Sequence, residues 1–248
     1  MGVIYILWLR QIKKYFRSKS RIIGSLGQPI LFLLAFGYGF GSIFQKAGGG
    51  NYIQFLAPGI ILMSVLFTAI FSGIELIWDR QFGFLKETLV APVPRIQIML
   101  GRTLGGATVA TIQGLIVFVL SVIFGFRPHN ILILPLALAF AFITALLFTT
   151  LGTVIATKLE DMQGFQLIMN FLVMPLFFFS GALFPFSNLP TVMKVVTRID
   201  PLTYGVDGVR TILLGVSSFG LIVDSAILIV ISIALLGLGS YFFEKIQV

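Results

Sequence analysis

The sequence predicts an all-α membrane protein with six transmembrane helices, and three observations lead to that fold class. The chain is 58% hydrophobic and only 10% charged, whereas soluble domains usually carry about 25% charged residues. Six apolar stretches reach the roughly 20 residues that a helix needs to cross a hydrocarbon core of about 30 Å. Runs such as ILILPLALAFAFITALLF are apolar on every face, unlike the alternating strands of a membrane barrel. The predicted spans are residues 22–44, 55–77, 103–124, 131–156, 165–184 and 219–243, within a single transmembrane domain of residues 1–248.

An amphipathic helix is predicted ahead of the first span. Bulky residues recur at spacings of three and four between Tyr5 and Phe16, and basic residues lie opposite them. This pattern is typical of a helix that lies in the membrane interface. Such a helix serves as a topology anchor, as a docking surface for a cytoplasmic partner, or as both. The residues assigned to it are Trp8, Lys13, Lys14 and Arg17.

A second short amphipathic helix is predicted between spans two and three, in the stretch DRQFGFLKETLVAPVPR. Read as a helix capped by Asp79, it extends to about Val90, and Pro92 and Pro94 end it. The helical period places Phe82, Leu85 and Leu89 on one face and points Arg80, Lys86 and Glu87 elsewhere. Periodicity alone leaves two interpretations open, an interfacial linker and a rigid lever that a soluble partner grips.

The stretch before the last span is neither a span nor an ordinary loop. Leu189–Ile199 and Tyr204–Leu214 are each about half the length that a crossing needs, and the dipeptide Asp200–Pro201 breaks the helix between them. Two short helices that dip into the outer leaflet fit this pattern. Pro135 in span four and Pro175 in span five are each expected to kink their helix.

The basic residues are concentrated on one side of the membrane, and this distribution predicts the orientation of the chain. Most of the 17 Lys and Arg residues lie before span one, between spans two and three, and after spans four and six. Loops rich in Lys and Arg remain in the cytoplasm, so both termini and the 79–95 loop are expected there, in a multi-pass protein of the plasma (inner) membrane. The net charge of +8 then reflects topology and anionic lipid rather than nucleic acid.

Several kinds of chemistry find no support in the residues. The chain has no cysteine and one histidine, His129, too few for a metal site that needs three or four ligands. It has no G-x-x-x-x-G-K-[ST] loop to hold nucleotide phosphates and no cluster of catalytic side chains, so we expect no enzyme activity. Glu75 and Asp224, near the ends of two spans, are interpreted as interfacial or packed structural residues rather than proton carriers.

The run DRQFGFLKETLVAPVPR, followed by LGRTLGGATVATIQG, resembles the membrane subunits of type 2 ATP-binding-cassette (ABC) transporters. The resemblance is strongest to the multidrug, daunorubicin-resistance-type exporter branch. FFFSGALFPFSNLP and DPLTYGVDGVRTILLG are similar to that family's span-five end and its re-entrant outer segment. The similarity covers nearly the whole chain, in order.

The resemblance implies a six-span permease that pairs with a second copy of itself and with two separate ATPase subunits. ATP and Mg would bind to the ATPase, and this chain would bind no metal or cofactor. The 79–95 loop would supply a coupling helix held in a cleft of the ATPase, with the N-terminal helix as a second contact. The residues implied for that helix are Arg80, Phe82, Gly83, Leu85, Lys86, Glu87, Leu89 and Pro92, and those for the re-entrant segment are Pro201, Tyr204, Asp207 and Arg210.

The expected function is ATP-driven export of a hydrophobic or amphipathic substrate, either a drug or a lipid-like molecule. Export of a lipid-linked glycan uses the same architecture and is the alternative within the family. A secondary carrier or channel would instead show charges at the membrane midplane or broken helices in matching repeats. The sequence shows neither feature.

Overall fold

The computed structural model describes residues 2–46, 50–90, 92–186 and 190–244 and shows a bundle of helices. No strand forms within these ranges. Six segments are long and apolar enough to cross a membrane: Lys19–Tyr38, Tyr52–Gln81, Arg95–Ile123, Ile131–Lys158, Met162–Phe179 and Leu221–Glu244. The predicted all-α, six-span fold is therefore confirmed.

The first half of the chain forms α1 to α7. Their bounds are α1 Gly2–Arg17, α2 Lys19–Phe32, α3 Gly41–Lys46, α4 Tyr52–Phe71, α5 Ile74–Gln81, α6 Phe84–Val90 and α7 Arg95–Ile123. A π-helical segment, Leu33–Tyr38, continues α2 through the first span. The helices α4 and α5 together make the second span. α4 begins where the Asn51 side chain accepts the N–H of Ile53 at 3.0 Å, which satisfies one of the free N–H groups at a helix start.

The second half forms α8 to α12. Their bounds are α8 Leu134–Lys158, α9 Met162–Phe179, α10 Thr191–Ile199, α11 Pro201–Leu214 and α12 Leu221–Glu244. As predicted, two short helices precede the last span and Asp200 separates them. Pro201 starts α11 earlier than the predicted Tyr204, because proline fits the first turn of a helix. Leu189 lies outside the described residues.

The two prolines that were expected to kink spans lie in different environments. Pro135 falls in the first turn of α8, where its missing N–H removes no helical hydrogen bond. The kink predicted there is wrong. Pro175 lies inside α9, as expected.

The second span is the centre of the bundle. α4 is buried over most of its length and packs against both α7 and α8. Glycines allow these helices to approach closely, as in many membrane proteins. A Cβ on Gly114 of α7 would lie 2.6 Å from Val65 of α4, and Gly73 and Gly152 meet backbone to backbone between the second span and α8.

The spans α2, α9 and α12 lie at the periphery. Each exposes large apolar side chains, including Leu31, Phe171 and Ile222, and the last two are 83% and 85% exposed. Apolar faces of this size on a membrane protein face lipid or a second subunit.

Candidate functional site

The loop between the second and third spans carries the short helix α6 and a small exposed surface. Phe82 and Val90 are 77% and 84% exposed, and Lys86 and Glu87 are also exposed. We call these four residues the α6 surface. Leu85, in the first turn of α6, is fully buried and fixes the helix to the bundle. Pro92, just beyond α6, is exposed.

The short helix begins later than the sequence predicts. α5 continues past Asp79 to Gln81, and the chain then turns at Gly83, whose φ of 79° favours glycine. Asp79 is therefore not a helix cap, and the predicted start at Arg80 is wrong. Because the helix is interrupted at Gly83, Phe82 and Leu85 do not share a face: one is exposed and the other buried.

Arg80 does not belong to the exposed surface. Its guanidinium donates to the carbonyl oxygens of Thr157 and Leu159, both at 3.2 Å. The neighbouring Gln81 side chain donates to the carbonyl of Glu160 at 3.1 Å. These bonds tie the end of α5 to the link between α8 and α9, so the structure gives Arg80 an anchoring role.

Two acids of α5 pair with two bases of α1 in a charge ladder. Asp79 accepts from Arg10 at 3.1 and 3.2 Å, and Glu75 lies 3.4 Å from the amine of Lys14. Both partners are four residues apart on their own helix, so each pair of side chains lies on one face. The structure supports the interpretation of Glu75 as a packed structural residue.

Two further bases complete the network. Arg102 of α7 donates to the second oxygen of Asp79, and Arg21 of α2 donates to Glu75 at 2.6 Å. Arg102 is buried, with a side chain only 5% exposed, whereas the side chain of Arg21 is 35% exposed. The two acids thus join four helices at one end of the bundle.

Arg10 also contacts the short helix directly. Its guanidinium carbon lies 3.8 Å from the ring centre of Phe84, the first residue of α6. A guanidinium over an aromatic face is attracted by the ring's negative potential. One side chain of α1 therefore contacts α6 through the ring and α5 through the Asp79 carboxylate.

The N-terminal helix packs along the third span rather than standing free. Gly101 of α7 lies against Leu7, and the Trp8 indole donates to Thr108 at 3.0 Å. Further along, the Tyr15 hydroxyl donates to the side-chain oxygen of Gln113. Burial raises the pKa of Tyr15 above its usual value.

The four residues predicted for the interfacial helix fall into two groups. Trp8 and Lys14 make contacts within the bundle, and the Lys14 amine also lies 5.9 Å from the Trp78 ring. Lys13 and Arg17 are exposed and form no ion pair with the described residues. An outward basic face therefore remains on α1.

The predicted outer-segment residues lie inside the bundle, in α11. The Asp207 carboxylate accepts the N–H groups of Ser218 and Phe219 at 2.9–3.0 Å. Arg210 donates to the carbonyls of Phe55 and Gly181 at 3.3 and 3.1 Å. Burial lowers the pKa of Arg210 to about 10, so the guanidinium stays charged at neutral pH.

The start of α11 is fixed in a similar way. Pro201 occupies its first turn, and the Tyr204 hydroxyl donates to the carbonyl of Arg198 at 2.7 Å. Asp200 caps the helix through the N–H of Leu202 at 2.8 Å, and burial raises the pKa of Asp200 to about 8. These contacts connect α10, α11 and α12 to the second span and leave the four predicted residues in packing roles.

The sequence interpretation missed the charge ladder. A usable signal was present, because acids spaced by four on α5 and bases spaced by four on α1 form matching faces. Its detection required knowing that α1 and α5 are neighbours. Within the described ranges no group of three or more His, Asp or Glu side chains could hold a metal.

Comparison with known proteins identifies the family of the chain. The family model described as ABC-2 type transporter matches residues 2–214. Nodulation protein J of Rhizobium leguminosarum bv. trifolii is 30% identical over 213 residues, which cover 85% of this chain and 78% of that protein.

Two transport permeases are also similar. Inner membrane transport permease YadH of Escherichia coli (strain K12) is 27% identical over 231 residues, which cover 92% of this chain and 89% of YadH. Putative transport permease ycf38 of Cyanophora paradoxa is 28% identical over 214 residues, which cover 84% of this chain and 72% of that permease.

Proposed function

Because the chain belongs to the ABC-2 type transporter family of membrane permeases, we propose that it exports a hydrophobic or amphipathic substrate through a pair of identical subunits. The chain is the permease subunit, and the family implies association with an ABC ATPase subunit. In the proposal, ATP and Mg bind only to that ATPase, and the α6 surface is the site that it grips. Export of a lipid-linked glycan remains the alternative substrate class, and the multidrug branch is part of the proposal.

The observation that carries the coupling role is the exposure of the α6 surface on a braced helix. Phe82 and Val90 present apolar area to the surroundings, and Lys86 and Glu87 lie beside them. An aromatic side chain beside charged groups is typical of the few residues that dominate a protein interface. The buried Leu85 and the Arg10 contact hold this surface against α5 and α1.

The proposed mechanism follows from these contacts. Closure of the two ATPase subunits on ATP would press on α6, and the displacement would reach α5 and α1 through Phe84, Arg10 and Asp79. α1 packs along α7, so the second and third spans would move together. ATP can shift the permease between inward-facing and outward-facing states only by binding more tightly to one state of the assembly.

Reversing the charge of Glu87 tests the coupling role. In the proposal Glu87 meets a basic group of the ATPase, so Glu87→Lys replaces attraction by repulsion at a partly buried contact. A charge that loses its partner at such a contact typically costs about 2–5 kcal/mol of binding free energy. We expect the variant to reach the membrane at normal abundance and to lose ATPase binding in a pull-down from detergent, together with permease-stimulated ATP hydrolysis.

Glu160→Lys is the matched control, because Glu160 is an exposed acid of the neighbouring α8–α9 link. It changes the net charge equally but lies outside the α6 surface, so binding should be retained. Phe82→Ala should weaken ATPase binding without unfolding the permease, because the ring is largely exposed. Normal binding by both Glu87→Lys and Phe82→Ala would contradict the coupling role of α6.

The orientation of the chain is part of the proposal, since α6 must lie in the cytoplasm to meet an ATPase. The distribution of basic residues supports this orientation. In a chain without native cysteine, single cysteines at Lys46 and His129 should react with a membrane-impermeant maleimide in intact cells. Cysteines at Lys86 and Lys158 should react only after the membrane is opened, and the reverse pattern would place α6 out of reach of any ATPase.

A further inference from the structure

A half-enclosed cavity of about 230 Å³ lies between α2 and α4, with Tyr15 of α1 in its wall. The α6 surface contributes nothing to it. Its polar lining residues are Tyr15, Arg21, Ser25, Gln28, Ser64 and Thr68. Most of the cavity thus lies between two spans, where an amphipathic molecule would meet the protein.

Several polar groups of this lining have no partner. The side chains of Gln28 and Thr68 form no hydrogen bond with any described residue, whereas Thr103 and Thr144, for comparison, donate to a carbonyl of their own helix. Pro29 has no N–H to donate to the Ser25 carbonyl four residues earlier. The Gln28 and Thr68 side chains are both only partly buried, so their unpaired donors and acceptors can reach a ligand, and the cavity is suited to a polar one.

The lining is close to electrically neutral. Arg21 is the single cation among the lining residues, and it already binds Glu75 at 2.6 Å. The remaining polar groups are hydroxyls and one amide, which hydrogen-bond without charge. A cationic head group would find no acid among the lining residues, and an anionic one would compete with Glu75 for Arg21, so neither is readily compensated for its lost hydration.

One wall of the cavity is aromatic. Phe67 and Phe71 of α4 lie nearly parallel, with an interplanar angle of 7° and ring centres 6.2 Å apart. An aromatic wall beside amide and hydroxyl groups suits a ligand that combines an apolar face with hydroxyl groups, as a sugar ring does. Ligand sites in general combine apolar walls with a few placed polar groups.

We propose that this cavity binds the uncharged, hydroxyl-bearing head group of the exported amphipath, while the hydrocarbon part lies along the lipid-facing side of α2. This assignment rests on the proposed export function and narrows its substrate class. The cavity is smaller than the roughly 300–1,000 Å³ of sites that enclose drug-sized ligands, which fits a head group alone. The exposed Ile23 and Leu31 of α2 supply the apolar path beside it.

The test measures binding to the isolated permease and needs no ATPase or transport. Purified permease in nanodiscs is titrated with tritiated octyl glucoside below its micelle concentration. Octyl phosphocholine and octyl trimethylammonium, which have the same chain and charged heads, serve as competitors. We expect saturable glucoside binding that the two charged amphipaths displace at least tenfold less well than unlabelled glucoside.

Two variants connect that binding to the cavity. Gln28→Leu and Thr68→Val remove hydrogen-bonding groups but keep the approximate size of each side chain. Neither group has a hydrogen bond with a described residue to lose. Each variant should weaken glucoside binding by roughly threefold to tenfold, the range of a net hydrogen bond. Thr157→Val, at the far end of α8 and outside the lining, is the control and should bind as the unmodified protein does.

The outcomes separate the two proposals. Equal binding of all three head groups, or unchanged binding by both cavity variants, would make the cavity a general lipid contact and overturn this inference. Either result would leave the permease assignment and the Glu87 test untouched. Glu87→Lys should bind the glucoside as the unmodified protein does even if it no longer couples to the ATPase, because α6 does not line the cavity.

Discussion

Replacing Asp79 by alanine is expected to destabilise the permease by about 3–5 kcal/mol, the cost of leaving a buried charge without its partner. The charge left behind is Arg102, whose side chain is 5% exposed and whose ion pair is with Asp79. Arg102 forms no second ion pair with the described residues, and its Nε has no hydrogen-bond partner among them. Thermal unfolding in detergent, followed by size-exclusion recovery after heating, measures the loss.

Glu75→Ala is the matched control for this prediction. Its partners Lys14 and Arg21 have side chains that are 36% and 35% exposed, so water hydrates their charges after the acid is removed. We therefore expect Glu75→Ala to be the milder variant, and equal losses for the two would contradict the argument from burial.

A double variant separates charge from packing. Asp79→Ala combined with Arg102→Met removes both buried charges and keeps an apolar side chain of similar length. Replacement of a whole buried pair by apolar residues is often neutral or stabilising. The double variant should therefore recover much of the stability lost by Asp79→Ala. The recovery is incomplete because Arg10, whose side chain is 32% exposed, still loses its link to α5.

Gly152→Ala is the second substitution with a large expected effect. A Cβ at position 152 would fall inside contact distance of the Ile70 carbonyl oxygen, and Gly73 faces the backbone of Gly152 in the same way. Both obstacles are backbone, so no side-chain rotation relieves the overlap. Overpacking of this kind costs about 1–3 kcal/mol, and α8 would separate from the second span at its closest approach.

The control for this substitution is Gly237→Ala in α12. Nothing lies within 4 Å of a Cβ at that position, and alanine is favoured over glycine in a helix interior by about 1 kcal/mol. Gly237→Ala should raise the unfolding temperature in detergent, whereas Gly152→Ala should lower it. If both substitutions shifted the unfolding temperature in the same direction, the argument would fail, because the helices would have relaxed around the methyl group added at Gly152.

The site itself shows why only part of it could be predicted from the sequence. The two prolines and the helical period located the short helix between the second and third spans. The phase of that helix was wrong, because Gly83 interrupts it and Phe82 no longer follows the period of Leu85. A glycine permits a turn but does not require one, so the interruption at Gly83 could not be predicted from the sequence.

Asp79 illustrates the same limit. An acid before a short helix fits a helix cap, which is the interpretation that the local sequence indicates, although the same side chain can form an ion pair instead. Its partners Arg10 and Arg102 are 69 and 23 positions away in the chain. Only the packing of α1 and α7 beside α5 brings these bases to the carboxylate.

The sequence by itself determined the properties that depend on one segment at a time. A span must be apolar over about 20 residues wherever its neighbours lie, so all six spans could be found from composition along the chain. The dipeptide Asp200–Pro201 separates two short helices for local steric reasons, and it does so in the structure. The tertiary structure decided everything that requires two segments to meet: the charge ladder between α1 and α5, the contact of Gly73 with Gly152, and the cavity between α2 and α4. The physical reason is that apolar spans resemble one another in sequence, and the choice of partners depends on which surfaces fit closely.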